Sequence, residues 1–139
     1  VFGIEASDNN VECGQLNRQG YISVAQQLQS RFGLKTVAIT LRESLSANDN
    51  NWGAMLYHEG QAYFSPTYHI HIVDRVGGGD SFGAGLIYSL LAEKGQQDAI
   101  NFAAAASCLK HTIEHDANLV SIEEVESLVA GNSTGRVQR

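Results

Sequence analysis

The sequence predicts an α/β domain built on parallel β-strand, α-helix, β-strand units, and three observations carry that expectation. An amphipathic helical pattern lies between two strand-like runs, Val1–Ile4 and Thr36–Leu41. A further strand, His69–Val73, runs straight into a glycine cluster and a helix. The 139 residues are 43% hydrophobic and 17% charged, the balance of one ordinary globular domain.

Taken in order, Val1, Phe2 and Ile4 read as a short strand that leaves into the polar loop Glu5–Asn10. From about Gln19, Tyr21, Val24, Ala25, Leu28 and Phe32 recur at helical spacing, and Gly33 closes the helix as a left-handed cap. Thr36–Leu41 is apolar or β-branched throughout, which predicts a strand buried on both faces. Ser46–Asn51 reads as a polar turn. Gly53–Tyr57 and Gln61–Phe64, joined by His58-Glu59-Gly60, form a hairpin near a sheet edge, where Trp52 and Tyr57 pack.

After the glycines, Phe82, Leu86, Leu90 and Leu91 give a helix one apolar face, while Gly83, Ala84 and Gly85 thin another, and Gly95 ends it. The next helix, Gln97–His111, is apolar nearly all round and so belongs in the interior. Ser121 with Glu124 makes a capping box ahead of a last helix closed by Gly131, and residues 132–139 form a polar tail.

Charge excludes some functions. Nine Lys and Arg against fifteen Asp and Glu give a net charge of -6, a poor match for a nucleic-acid backbone. No apolar run reaches the roughly 18 to 20 residues of a membrane span, and no signal peptide is visible, so a cytoplasmic location is expected. Cys13 and Cys108 are read as reduced thiols. His69 with His71 and His111 with His115 share element faces, but neither pair has the third ligand of a catalytic zinc site. No Gly-x-Ser-x-Gly elbow offers a serine nucleophile.

The chemistry concentrates in Asp74–Gly85. Three consecutive glycines between a strand and a helix let successive N–H groups turn inward, and the helix N-terminus adds partial positive charge, so a phosphoryl group is the natural guest. The spacing fits neither common phosphate loop. The dinucleotide pattern needs glycine where Phe82 stands, and the Walker pattern needs lysine where Ala84 stands.

Asp74-Arg75-Val76-Gly77-Gly78-Gly79-Asp80-Ser81-Phe82 resembles the C-terminal signature of the ribokinase-like (PfkB) carbohydrate kinases, Asp-Thr-x-Gly-Ala-Gly-Asp-x-Phe. The resemblance implies a three-layer α/β/α fold, of which this chain is the C-terminal part of the mainly parallel sheet, with an edge hairpin and C-terminal helices. Residues 1–131 would form that part and 132–139 a flexible tail. Within the family, Val1–Glu5, Val37–Ser44 and Leu109–Ile113 most resemble 2-keto-3-deoxygluconate kinases.

By that resemblance, Gly77, Gly78 and Gly79 form the anion hole for the transferring phosphoryl group. Asp80 is the base that receives the substrate hydroxyl proton, late in a loose phosphoryl transfer. An N-cap is the plain alternative for Asp80. Glu5 and Asp8 fall at the place of a family element that organises Mg²⁺, although family members carry Asn where Glu5 stands, and a solvated turn is the alternative. Asp74 matches an acid that helps hold a monovalent cation in several relatives, or it is a turn-forming Asp. Arg75 reaches a phosphate or solvent. Asn101, Ala104 and Ala105 lie on a helix similar to the family's adenine side, where helix packing is the alternative reading.

The resemblance therefore implies an ATP- and Mg²⁺-dependent kinase acting on 2-keto-3-deoxygluconate, with another sugar such as fructose, or a non-catalytic nucleotide-binding fragment, as the alternatives. The family's front part, which supplies most sugar contacts and a lid, has no counterpart here. The chain by itself is thus expected to turn over little, and its open sheet edge invites self-association or a partner that supplies strands.

Overall fold

The computed structural model describes residues 3, 4 and 18–131. In chain order the elements are α1 (Arg18–Phe32), β1 (Thr36–Ser44), β2 (Asp49–His58), β3 (Gln61–Phe64), β4 (Tyr68–His71), α2 (Gly78–Leu91), α3 (Gln96–Lys110) and α4 (Ile122–Val129). No helix among the described residues is long and apolar enough to cross a membrane.

Strand β2 is the spine of the sheet. It pairs with β1 on one side, Thr36 opposite His58 through Ser44 opposite Asn50. On the other side it pairs with β3 and β4, which follow one another along its length. Every pairing among the described strands is antiparallel; the parallel unit expected around α1 needs the Val1–Ile4 run as its first strand. The strand expected at Val1–Ile4 falls almost wholly outside the described residues, and Gly3 and Ile4 are in no strand. The expected hairpin is present, but β2 begins at Asp49, so the polar turn is shorter than Ser46–Asn51. That turn is fixed by Asp49 O, which accepts from both Leu45 N and Ser46 N.

Side chains alternate across β2, and this alternation builds three layers. Met55 and Tyr57 face α1, packing with Ala25, Val37 and Leu41. Trp52, Ala54 and Leu56 face the opposite way, into a core shared with Tyr68, Ile70, Phe82 and α3. A wholly buried leucine such as Leu56 contributes about 1.5–3 kcal/mol by leaving water. Strand β1 is not buried on both faces as expected: only Val37 and Leu41 are buried, because it has a single neighbour among the described strands.

Past its first turn helix α3 is buried nearly all round, as its composition requires, wedged between the sheet and α2. Gly85 permits the α2 contact, since a Cβ there would stand 3.2 Å from Ala103 Cα and 3.3 Å from Ala106 Cβ. The end of α2 differs from expectation. It stops at Leu91, Glu93 takes the left-handed turn with φ 54°, and Gly95 instead precedes α3 as its N-cap. Helix α3 likewise ends at Lys110, so His115 does not share a helix face with His111. The capping box of α4 forms as expected, with Glu124 N donating to Ser121 Oγ and Ser121 N to Glu124 Oε2.

Candidate active site

The glycine segment leaves the sheet at Ile72 and is tied at once to the end of α3. The N–H groups of Val73 and Asp74 both donate to His111 O, at 2.8 and 3.3 Å. Asp74 then closes two turns with its carboxylate: Oδ1 accepts from Val76 N and Oδ2 from His115 N, each at 2.9 Å. The Val76 N–H holds the Asp74 carboxyl below the usual carboxylate range, assisted by the His115 N–H and the charge of Lys110. Arg75 bends the other way and donates to Ala47 O, so its guanidinium anchors the turn before β2.

Gly77 turns the chain into α2 with φ 78°, and a Cβ there would lie 2.5 Å from Asp116 O. Gly78 is the first residue of the helix and rests on the imidazole of His111, 2.5 Å from Cε1 to where a Cβ would be. Its carbonyl accepts from Ser107 Oγ at 2.7 Å. Both glycines are therefore required by contacts with α3 and the loop after it. Gly79 has open space around it.

This geometry corrects the capping alternative for Asp80. The N-cap is Gly77, and Asp80 is the third residue of α2, exposed, in the first turn. Among the described residues no hydrogen bond engages the N–H of Gly79 or of Asp80. Two free N–H groups at the positive end of a 14-residue helix, beside an exposed carboxylate, can hold an anion and place a proton acceptor next to it.

Beneath the loop, His111 is buried, its Nδ1–H donating to Ser107 O at 2.7 Å, with the ring 4.5 Å from Trp52 centroid to centroid. Burial pushes its imidazolium below the ordinary value, against the opposing Ser107 carbonyl, while the charges of Lys110 and Arg75 push the same way. The support is thus a neutral ring. Lys110 is fully buried, and its Nζ donates to His115 O at 2.6 Å and Ile113 O at 3.1 Å.

The sequence singled out neither Lys110 nor Ser107. A lysine at the end of an alanine-rich helix that is apolar nearly all round was the available signal.

Other expected site residues stand apart. Ala104 and Ala105 are wholly buried, with no surface for a nucleotide, because α3 is covered by both the sheet and α2. Asn101 is half-buried and accepts from Gln97 Nε2 at 2.8 Å. Glu5 and Asp8, assigned to Mg²⁺, lie outside the described residues, as does Cys13. Among the described residues no three His, Cys, Asp or Glu side chains gather to hold a metal ion. His71 Nδ1 instead pairs with Asp49 Oδ1 at 2.8 Å, and His69 Nδ1 lies 3.3 Å from Asn51 Oδ1.

A monovalent cation at Asp74 does not fit this arrangement. Both carboxylate oxygens accept backbone N–H groups, and the neighbouring carbonyls of Ile113 and His115 already hold an ammonium.

Comparison with known proteins agrees with the signature. The family model described as pfkB family carbohydrate kinase matches residues 8–120. A 2-dehydro-3-deoxygalactonokinase of Haloferax volcanii is 30% identical over 113 residues, 81% of this chain and 33% of the relative. The crystal structure of 2-dehydro-3-deoxygluconokinase from Thermotoga maritima superposes with a TM-score of 0.81 at 52% identity, covering 84% of this chain and 36% of that one. A PfkB family carbohydrate kinase from Listeria grayi gives 0.74 at 29% identity, covering 86% and 37%. The chain spans about a third of the length of these relatives. With its glycine signature at the sheet-to-helix junction and a family match across most of its length, the chain belongs to the pfkB family of carbohydrate kinases.

Proposed function

We propose that this chain forms the phosphoryl-transfer part of a cytoplasmic, ATP-dependent kinase that phosphorylates a hydroxyl of 2-keto-3-deoxygluconate. The observation that carries the reading is the α2 N-terminus, where the free N–H groups of Gly79 and Asp80 and the exposed Asp80 carboxylate share one turn. The substrate class follows the names of the relatives. The Thermotoga protein, 52% identical, is a 2-dehydro-3-deoxygluconokinase, and the Haloferax protein is named for the galactonate isomer.

In this reading the γ-phosphoryl oxygens of ATP lie against the Gly77–Gly79 turn, where backbone N–H groups and the helix dipole offset the negative charge of the transition state. Asp80 orients the sugar hydroxyl. As the new O–P bond forms and the bond to the ADP oxygen breaks, the hydroxyl proton passes to the Asp80 carboxylate. His111 and Ser107 hold Gly78 from below, which fixes the turn without contacting substrate. Mg²⁺ bound with the nucleotide would neutralise phosphate charge, and its proposed ligands are Glu5 and Asp8.

The test is a coupled ADP-release assay on the full-length protein with ATP, Mg²⁺ and a panel of sugars and sugar acids. The expected result is turnover with 2-keto-3-deoxygluconate that falls by roughly 10²- to 10⁴-fold in Asp80→Asn, with nucleotide affinity little changed. An active Asp80→Asn enzyme overturns the base assignment. Nucleotide binding without turnover on any sugar makes this a binding module.

A further inference from the structure

Lys110 stands out as a cation in a place built for one. It is fully buried at the last turn of α3, yet no carboxylate forms an ion pair with it among the described residues. Instead its ammonium donates to His115 O at 2.6 Å and Ile113 O at 3.1 Å, while its stem lies against Gly77, with Cε 3.1 Å from where a Cβ would be. A buried charge is costly unless it is ringed by oxygens, so these contacts must be held in place.

They are held by the glycine segment itself. His115 adopts the left-handed conformation, φ 65°, which is strained for a non-glycine residue. In that conformation its N–H donates to Asp74 Oδ2 while its carbonyl accepts from Lys110. The next carbonyl, Asp116 O, closes over Gly77. One ammonium thus fastens the 111–116 loop against Asp74–Gly77, at the back of the phosphoryl site. Ammonium and potassium are close in size and are held by the same kind of carbonyl oxygen, so a fixed lysine ammonium can do the work of a bound monovalent cation.

We propose that Lys110 is the built-in cation of the anion-binding turn, a positioning residue that makes the enzyme independent of potassium. The proposal rests on the kinase reading above for its catalytic consequence and on geometry alone for its structural one.

The test compares the full-length protein with Lys110→Met, which keeps volume but loses charge, and Lys110→Ala, which also opens space. At matched ionic strength, wild-type kcat should differ less than twofold between potassium chloride and tetramethylammonium chloride. Lys110→Met should lose kcat at least tenfold with a smaller change in sugar KM. Lys110→Ala should recover at least fivefold on adding potassium or propylammonium, and its melting temperature should rise with either salt while the wild-type value stays constant.

The melting arm needs no turnover, so it judges Lys110 even if the sugar kinase reading fails. Wild-type activation by potassium of fivefold or more overturns the proposal and needs no variant. A fully active Lys110→Met, or a folded Lys110→Ala indifferent to both cations, also overturns it.

Discussion

The imidazole of His111 fills the space that a side chain on Gly78 would occupy, 33 residues earlier in the chain, so the first residue of α2 sits directly on a ring from the end of α3. Gly78→Ala places a methyl 2.5 Å from Cε1 and 2.6 Å from Nε2 of a ring that is itself pinned by Ser107 O and Trp52. The expected cost is about 1–3 kcal/mol from overpacking. Gly79→Ala, with open space around it, should stay within about 0.5 kcal/mol. Thermal or urea denaturation of the two variants in the full-length protein checks the contrast.

The same ring predicts how stability varies with pH. Burial, the leading cause, keeps His111 neutral in the folded state below the pH at which a free histidine protonates. The unfolded chain then binds a proton that the folded chain refuses, so this contribution is complete above the ordinary histidine value and is lost as pH falls below it. Melting temperatures between pH 7 and 5 should decline in wild type and flatten in His111→Gln.

Asp74 acts at lower pH. Its carboxyl is held down first by the Val76 N–H, so the stability it lends is present above the ordinary aspartate value and disappears as pH falls through the lowered one. Asp74→Asn should melt below wild type at neutral pH, and the gap should close in acid. A gap that persists unchanged in acid would show that the carboxylate charge is not what holds the 111–116 loop.

Cys108 should be inert in the native protein. Burial pushes its thiol up to about 12, leaving almost no thiolate at pH 8. Iodoacetamide at that pH should leave the Cys108 peptide unlabelled in native protein and modify it fully in denaturant, as read by peptide mass mapping. Native labelling would mean that α3 opens readily.

Much of this architecture is written in local patterns. The β2–β3 hairpin, the capping box at Ser121, the left-handed Gly33 and the buried character of α3 all follow from periodicity and turn chemistry. The glycine signature was legible as the turn from sheet to helix, but not its seating. Whether α2 begins at Gly78 or after Asp80 depends on His111 and Ser107, which reach it only through tertiary packing. Lys110 escaped for the same reason: its partners, Ile113 O and His115 O, converge on one ammonium only when Asp74 draws the His115 backbone into place. Ala104 and Ala105, which the resemblance puts on the adenine side, are wholly buried, and a small-residue run cannot announce that burial by itself.

The outer lane of the sheet carries one residue too many. Met55 pairs with Phe64 but Trp52 with Tyr68, so Ser65, Pro66 and Thr67 stand opposite Gly53 and Ala54 alone. Ala54 N donates to the Ser65 hydroxyl, Pro66 has no N–H to offer, and Phe64 O is taken by Gln97 Nε2. A regular row of amide groups is what lets a stray strand from another molecule dock and spread. Here that row is broken midway and partly occupied, so the rim formed by β3 and β4 is a poor template for runaway association between molecules.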